Sequence, residues 1–105
     1  MADSVWLMVM FDLPVTKKEQ MREANRYRNM LLDKGFKRVQ FSVYSRYLVN
    51  ATAALPVINY LKASVPAAGY VRILQISDTQ WSGGWHLYGG EYQESEAPPE
   101  PLLLF

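Results

Sequence analysis

The sequence of 105 residues contains no cysteine and a single histidine, His86. Without cysteine there is no disulfide, no thiolate zinc site and no cysteine nucleophile, and the chain suits a reducing cytoplasm. One histidine cannot furnish a transition-metal cluster, so His86 is read as structural. Also missing are a serine nucleophile elbow, a P-loop and the Rossmann glycine fingerprint, which removes the commonest nucleophilic and nucleotide-binding chemistries. No apolar run is long enough to span a bilayer, and the start, MADSVWLMVMFDLP, lacks the basic beginning and cleavage site of a signal peptide. The expectation is a cytoplasmic protein with no membrane partner.

What is present suits one domain with a modest core, since 50% of the residues are hydrophobic. The net charge of +1 hides an asymmetry. Between Thr16 and Leu48 nine cations (Lys17, Lys18, Arg22, Arg26, Arg28, Lys34, Lys37, Arg38, Arg46) face three acids (Glu19, Glu23, Asp33). Elsewhere only Lys62 and Arg72 stand against seven acids, of which Glu91, Glu94, Glu96 and Glu100 lie in the tail. Such a distribution points to a polyanion-binding face and an acidic tail, although solvated surface charge explains part of it.

The stretch Val5 to Phe11 carries no charge, is rich in Val, Met and aromatics, and ends on Asp12 before Pro14. Short and closed by proline, it reads as a strand buried on both faces. Asp12 then sits where a central strand leaves the core. There it either organises the turn into Pro14, the simpler role, or serves as a displayed functional carboxylate.

Thr16 and Glu19 have the spacing of a capping box, so a helix is expected from about Lys17 to Lys34, with Gly35 as its stop. At 100° per residue, Met21, Ala24, Tyr27, Leu31 and Leu32 gather into an apolar arc, opposite Lys18, Arg22, Arg26, Asn29 and Asp33. Lys18, Arg22 and Arg26 follow at i, i+4 and i+8, a ridge able to run beside successive phosphates, unless Glu19 and Glu23 pair with the arginines. Arg28 falls at the edge of the apolar arc, either snorkelling or meeting a carboxylate or a partner chain.

Lys37 to Val49, KRVQFSVYSRYLV, is strand-like throughout and long for one strand. It is either two strands joined by a tight turn without glycine or one strand bent at a bulge near Gln40 to Val43. Asn50 or Thr52 then caps a second helix, from about Ala53 to Ser64, with Leu55, Ile58 and Leu61 as its buried stripe. Tyr70 to Ser77 reads as a further buried strand, Ser77 to Gln80 as a turn, and Trp85 to Tyr88 as a short strand.

With two strands in the middle, the order becomes βαββαβ, the ferredoxin-like α+β plan in which two helices cover one face of an antiparallel sheet. Residues 1–90 form that domain. Residues 91–105 supply a mobile, acidic, Pro-rich link and an extra C-terminal strand, Leu102, Leu103, Leu104 and Phe105. An exposed apolar end calls for a partner, and adding to a sheet edge, its own or another chain's, supplies one. A homodimer is the corollary. It also bears on Asp12, because Mg²⁺ needs only one or two carboxylates beside water and phosphate oxygens. Two copies of Asp12 near a two-fold axis would share such an ion.

Three segments resemble the CRISPR-associated protein 2 family, especially its type II branch: MFDLP at Met10 to Pro14, YRNMLLDKGF at Tyr27 to Phe36 and QFSVYSRYL at Gln40 to Leu48. The resemblance extends over nearly the whole chain, including Leu87-Tyr88-Gly89 and the apolar C-terminus, but leaves residues 81–101 without an alignment. It implies a ferredoxin-like homodimer that bridges two dimers of the CRISPR integrase, CRISPR-associated protein 1, and binds double-stranded DNA during spacer acquisition. It also implies a Mg²⁺-dependent endonuclease acting on RNA or DNA. The family's metal-binding acid maps onto Asp12 and its signature Gln and Ser onto Gln40 and Ser42; Arg28 and Tyr44 are taken with them as dimer or signature positions. Nucleic-acid contacts are expected from Lys18, Arg22, Arg26, Lys37 and Arg38, and integrase contacts from the tail. An RNA-binding module of the same fold ranks last, because the Gly-aromatic RNP1 pattern is missing.

Overall fold

Alternating side chains decide how the first strand, β1 (Val5–Asp12), is used. In the computed structural model, which describes residues 4–89 and 91–93, Val5, Leu7, Val9 and Phe11 point to a face where all are buried. Helix α1 (Lys18–Asp33), strands β2 (Lys37–Gln40) and β3 (Val43–Leu48), helix α2 (Ala51–Ala63) and strand β4 (Tyr70–Ser77) follow, giving the expected βαββαβ order. The four strands lie β2-β3-β1-β4, every pair antiparallel. Both helices supply the core of one sheet face: Ala24, Tyr27 and Leu31 from α1, Ala54 and Leu61 from α2. Among the described residues no helix is long and apolar enough to cross a membrane.

Several local expectations change. The cap of α1 is shifted by one residue: Gln20, not Glu19, reaches back, its Oε1 accepting from the backbone N–H groups of Thr16 and Lys17 at 3.0 Å each. An amide oxygen satisfies the same orphan donors that a carboxylate would. Gly35 ends the helix as expected, at φ 88, with the Phe36 N–H donating to the Leu31 carbonyl. Met21 and Leu32, assigned to the buried arc, are half exposed, because the sheet contacts a narrower stripe than the apolar arc spans. Leu55 in α2 is likewise exposed, and Ala54 takes the inward position. Asn50 rather than Thr52 caps α2, its Oδ1 accepting from the Ala53 N–H at 2.7 Å.

The segment from Lys37 to Val49 contains both features weighed for it. Phe41 and Ser42 make a tight turn between β2 and β3, with Ser42 at φ 63, and the register slips between Arg38 and Gln40. Strand β4 is not buried, contrary to expectation. Among the described residues it forms an edge of the sheet, and Tyr70 and Leu74 are exposed. Ser77 to Gln80 is not a simple turn but the start of a short helix, α3 (Asp78–Ser82), capped by Ser77 Oγ on the Gln80 N–H. The last described elements are β5 (His86–Tyr88) and β6 (Glu91–Gln93), paired in a ribbon of their own. Residues Glu91 to Gln93 are therefore strand where a link was expected. The rest of the link and the strand expected at Leu102 to Phe105 lie outside the described residues.

Among the described residues the second face of the sheet carries only the short helix α3, at one end. Trp6, Met8 and Met10 of β1 share it with Val43, Ser45 and Tyr47 of β3 and with Tyr70, Arg72, Leu74 and Ile76 of β4. The expectation that β1 is buried on both faces holds only in part. Trp6 is covered on this side, stacked on Trp81 at 4.6 Å and edge-on to Tyr47 at 5.5 Å, while Met8 and Met10 remain half-buried.

Candidate nucleic-acid and metal site

Asp12 is the last residue of β1, exposed on the uncovered face and paired in register with Tyr70. Because β1 and β4 run antiparallel, Met10 lies opposite Arg72, so Asp12, Tyr70, Met10 and Arg72 share one face at one end of the sheet. They line an open concavity of about 230 Å³ together with Phe11. Arg72 donates from Nη2 to the Tyr70 hydroxyl at 3.0 Å, an interaction that raises the pKa of the guanidinium further. Among the described residues no ion pair joins Arg72 to Asp12.

Asp12 offers the hard oxygen that Mg²⁺ prefers, on an exposed strand end. It offers it alone: among the described residues no group of three or more His, Cys, Asp or Glu is placed to hold a metal ion. The described residues thus offer Mg²⁺ a single carboxylate at this strand end, Asp12, with water and phosphate oxygens left to complete any coordination.

Three of the four signature positions, Ser42, Tyr44 and Arg28, make contacts within this chain. The Ser42 carbonyl accepts from the Phe11 N–H at 3.1 Å, tying the β2–β3 turn to β1 one residue before Asp12. Tyr44 is buried and stacked with Phe11, ring centroids 5.7 Å apart. Among the described residues Arg28 meets no carboxylate. Its guanidinium lies 5.6 Å from the Phe11 ring centroid and 5.7 Å from that of Phe41, and Nη1 donates to Asn25 Oδ1 at 3.3 Å. Such cation–π contacts hold α1 against the turn. Gln40 is exposed at the end of β2, opposite Val43.

Lys18, Arg22 and Arg26 are all exposed on α1, as their spacing requires. Arg26 pairs with Glu23 at 2.9 Å, but both side chains are solvated, so the pair contributes at most about 1 kcal/mol and yields readily to a phosphate. Beside the ridge, Arg22, Arg26, Asn29 and Lys34 share an open basin of about 660 Å³ with Tyr60, whose ring lies 4.0 Å from Lys34 Nζ. Lys37 and Arg38 are not part of this ridge. They sit on edge strand β2, opposite Ser45 and Tyr44 respectively, so their side chains leave from different faces.

Sequence reasoning missed Tyr70, Arg72, Lys34 and Tyr60. The alternation in YVRILQIS places Tyr70 and Arg72 on one face, but only the register sets them beside Asp12.

Residues 5–83 match the family described as CRISPR associated protein Cas2. A relative from Paracidovorax avenae, named CRISPR-associated endoribonuclease Cas2, is 36% identical over 101 residues, covering 96% of this chain and 94% of its own. Proteins of the same name from Parvibaculum lavamentivorans and Flavobacterium psychrophilum are 36% and 33% identical, covering 96% and 97% of this chain and 100% and 89% of their own. The fold, the strand ending in Asp12 and similarity over nearly the full length agree: this chain belongs to the CRISPR associated protein Cas2 family.

Proposed function

We propose that the protein acts in CRISPR adaptation as a homodimer that spaces two integrase dimers and holds duplex prespacer DNA along its basic helix. The observation that carries this reading is the row of Lys18, Arg22 and Arg26, three solvent-facing cations on one rigid helix. Rows of this kind supply the sequence-independent phosphate contacts on which DNA binding rests. The uncovered sheet face, with Met8, Met10, Val43 and Leu74, suits a second copy of the chain, which would remove that apolar surface from water. In this reading the C-terminal residues Leu102 to Phe105 dock on the integrase.

A second reading is favoured by the position of Asp12 and by the names of the relatives, all endoribonucleases. In it, the Asp12 carboxylates of two chains hold a Mg²⁺ ion, which when bound activates water for phosphodiester hydrolysis of RNA or DNA. The chain's own part is to carry each carboxylate on the end of a central strand and to steer nucleic acid with the nearby cations.

The test is spacer integration reconstituted with the cognate integrase. The Lys18, Arg22, Arg26→Ala triple variant should lose DNA affinity, the slope of log affinity against log salt falling by about 2 to 3. Asp12→Ala should integrate normally under the scaffold reading. Normal integration by the triple variant with unchanged affinity removes the ridge; failed integration by Asp12→Ala, with binding and dimerisation intact, returns the nuclease reading. Mg²⁺-dependent cleavage of RNA and DNA by wild type and Asp12→Ala tests that reading directly.

A further inference from the structure

Helix α1 carries two stripes of opposite charge. Lys18, Arg22 and Arg26 form the basic one; Glu19 and Glu23, also four residues apart, form an acidic one rotated by about 100° around the axis. The acidic stripe borders a groove between α1 and the turn Pro66–Gly69 that follows α2. That turn is closed by the Gly69 N–H, which donates to the Pro66 carbonyl at 2.9 Å, and a β-carbon on Gly69 would collide with Leu13 Cδ2. The wall is therefore fixed in place. Its small side chains, with Ala24 opposite, leave an apolar space of about 180 Å³ rimmed by Glu19 and Glu23. Glu23, Pro66 and Ala67 also line an adjoining concavity of about 450 Å³, so the groove continues past Tyr27 and Met30 to Tyr60. Tyr27 is only 2% exposed, and its hydroxyl has no hydrogen-bond partner among the described residues. A buried donor of this kind is stabilised by any ligand that brings it an acceptor.

Charge decides the occupant. Among the described residues Glu19 makes no ion pair, and Glu23 is shared with the solvated Arg26 at 2.9 Å, a pair that yields readily. Such a rim repels phosphate and attracts an ammonium or guanidinium whose alkyl stem lies along alanine and proline. Beside α1 the groove runs from Gln20 to Met30, about 15 Å, room for four or five extended residues. We propose that it docks an extended segment of a partner protein that combines basic and apolar residues. The apolar side chains fill the floor, the cations meet Glu19 and Glu23, and a backbone carbonyl accepts from Tyr27. The groove lies on the helical side of the sheet, so a second copy on the other face leaves it open. It is also distinct from the basic ridge, of which only Arg26 reaches its border.

The test is an NMR titration of the full chain, labelled with nitrogen-15, with a capped hexapeptide of leucine and arginine. Two control peptides carry glutamate in place of arginine or glycine in place of leucine. The leucine–arginine peptide should shift the amide signals of Ala67, Ala68 and Gly69 and saturate below about 1 mM, and neither control should do so. Glu19→Gln combined with Glu23→Gln should weaken binding about tenfold, because both charge contacts are lost. The same double variant should bind duplex DNA no more weakly than wild type, since it removes negative charge only. Tyr27→Phe should weaken peptide binding about threefold. Ala67→Trp, at an exposed position between the two concavities, should abolish saturation by filling the groove. Thermal melting accompanies each variant, and the glutamine pair carries the test if Ala67→Trp fails to fold. Wild-type peptide affinity in the glutamine pair overturns the inference, as do saturation by the glutamate control and shifts confined to other residues. Duplex DNA that shifts the same three signals in wild type but not in Ala67→Trp gives the groove to nucleic acid and also overturns it.

Discussion

The backbone N–H of Phe11 donates to the carbonyl of Ser42 at 3.1 Å, so the turn between β2 and β3 is fastened to β1 immediately before Asp12. Ser42 holds the turn at φ 63, a left-handed conformation that costs an L-residue about 1–2 kcal/mol. Ser42→Gly should remain within about 1 kcal/mol of wild type, relief of strain being offset by unfolded-state entropy. A β-branched residue there is worse, and Ser42→Val should lose about 2 kcal/mol. Urea denaturation of the two variants measures the difference.

Leu31 and Leu32 are neighbours in α1 with opposite fates: Leu31 is fully buried and Leu32 is 50% exposed. Leu31→Ala should cost about 3 kcal/mol, through lost transfer energy and the cavity left behind. Leu32→Ala should cost under about 1 kcal/mol. Equal losses in thermal unfolding would mean that the helix presents a different face to the sheet.

Trp6 donates its indole N–H to Asp78 Oδ1 at 2.8 Å while stacking on Trp81, which pins α3 over the end of β1. Asp78→Ala strands a buried donor and should cost about 1–3 kcal/mol. Asp78→Asn keeps an acceptor and should cost much less. Tryptophan emission should shift to the red in the alanine variant as α3 loosens.

Tyr27 is buried, and its hydroxyl has no hydrogen-bond partner among the described residues. Burial pushes its pKa from 10.0 up to about 12. The folded state therefore keeps the phenol proton more tightly than the unfolded state does. This contribution is fully present below pH 10 and is lost as the pH rises towards 12. Tyr27→Phe should remove that part of the alkaline loss and be neutral to stabilising at pH 7, because no bond is broken. Stability against pH for both proteins, from denaturant midpoints, checks the sign.

Local signals were legible in large part, though the capping side chain of α1 proved to be Gln20 rather than Glu19 and the turn at Ser77 opened a short helix. Asn50, one of two caps the sequence offers, starts α2, Gly35 ends α1, and the uncharged run before Asp12 is a central strand. The i, i+4, i+8 spacing of Lys18, Arg22 and Arg26 needs only helix geometry to become a ridge. The site around Asp12 was legible by half, because one of its walls comes from a strand 58 positions further along the chain.

Sequence by itself determined the order of elements, the βαββαβ plan and Asp12 at the end of a buried strand, because each depends on periodicity, capping or turn chemistry within a few residues. Tertiary structure decided what depends on pairing. Among the described residues it put β4 at the sheet edge and left most of one sheet face without a covering helix. It moved Met21, Leu32 and Leu55 out of the core, and it set Tyr70 and Arg72 beside Asp12. The physical reason is that register and packing are long-range: alternation says which residues share a face, and only the antiparallel pairing of β1 with β4 says which of them meet.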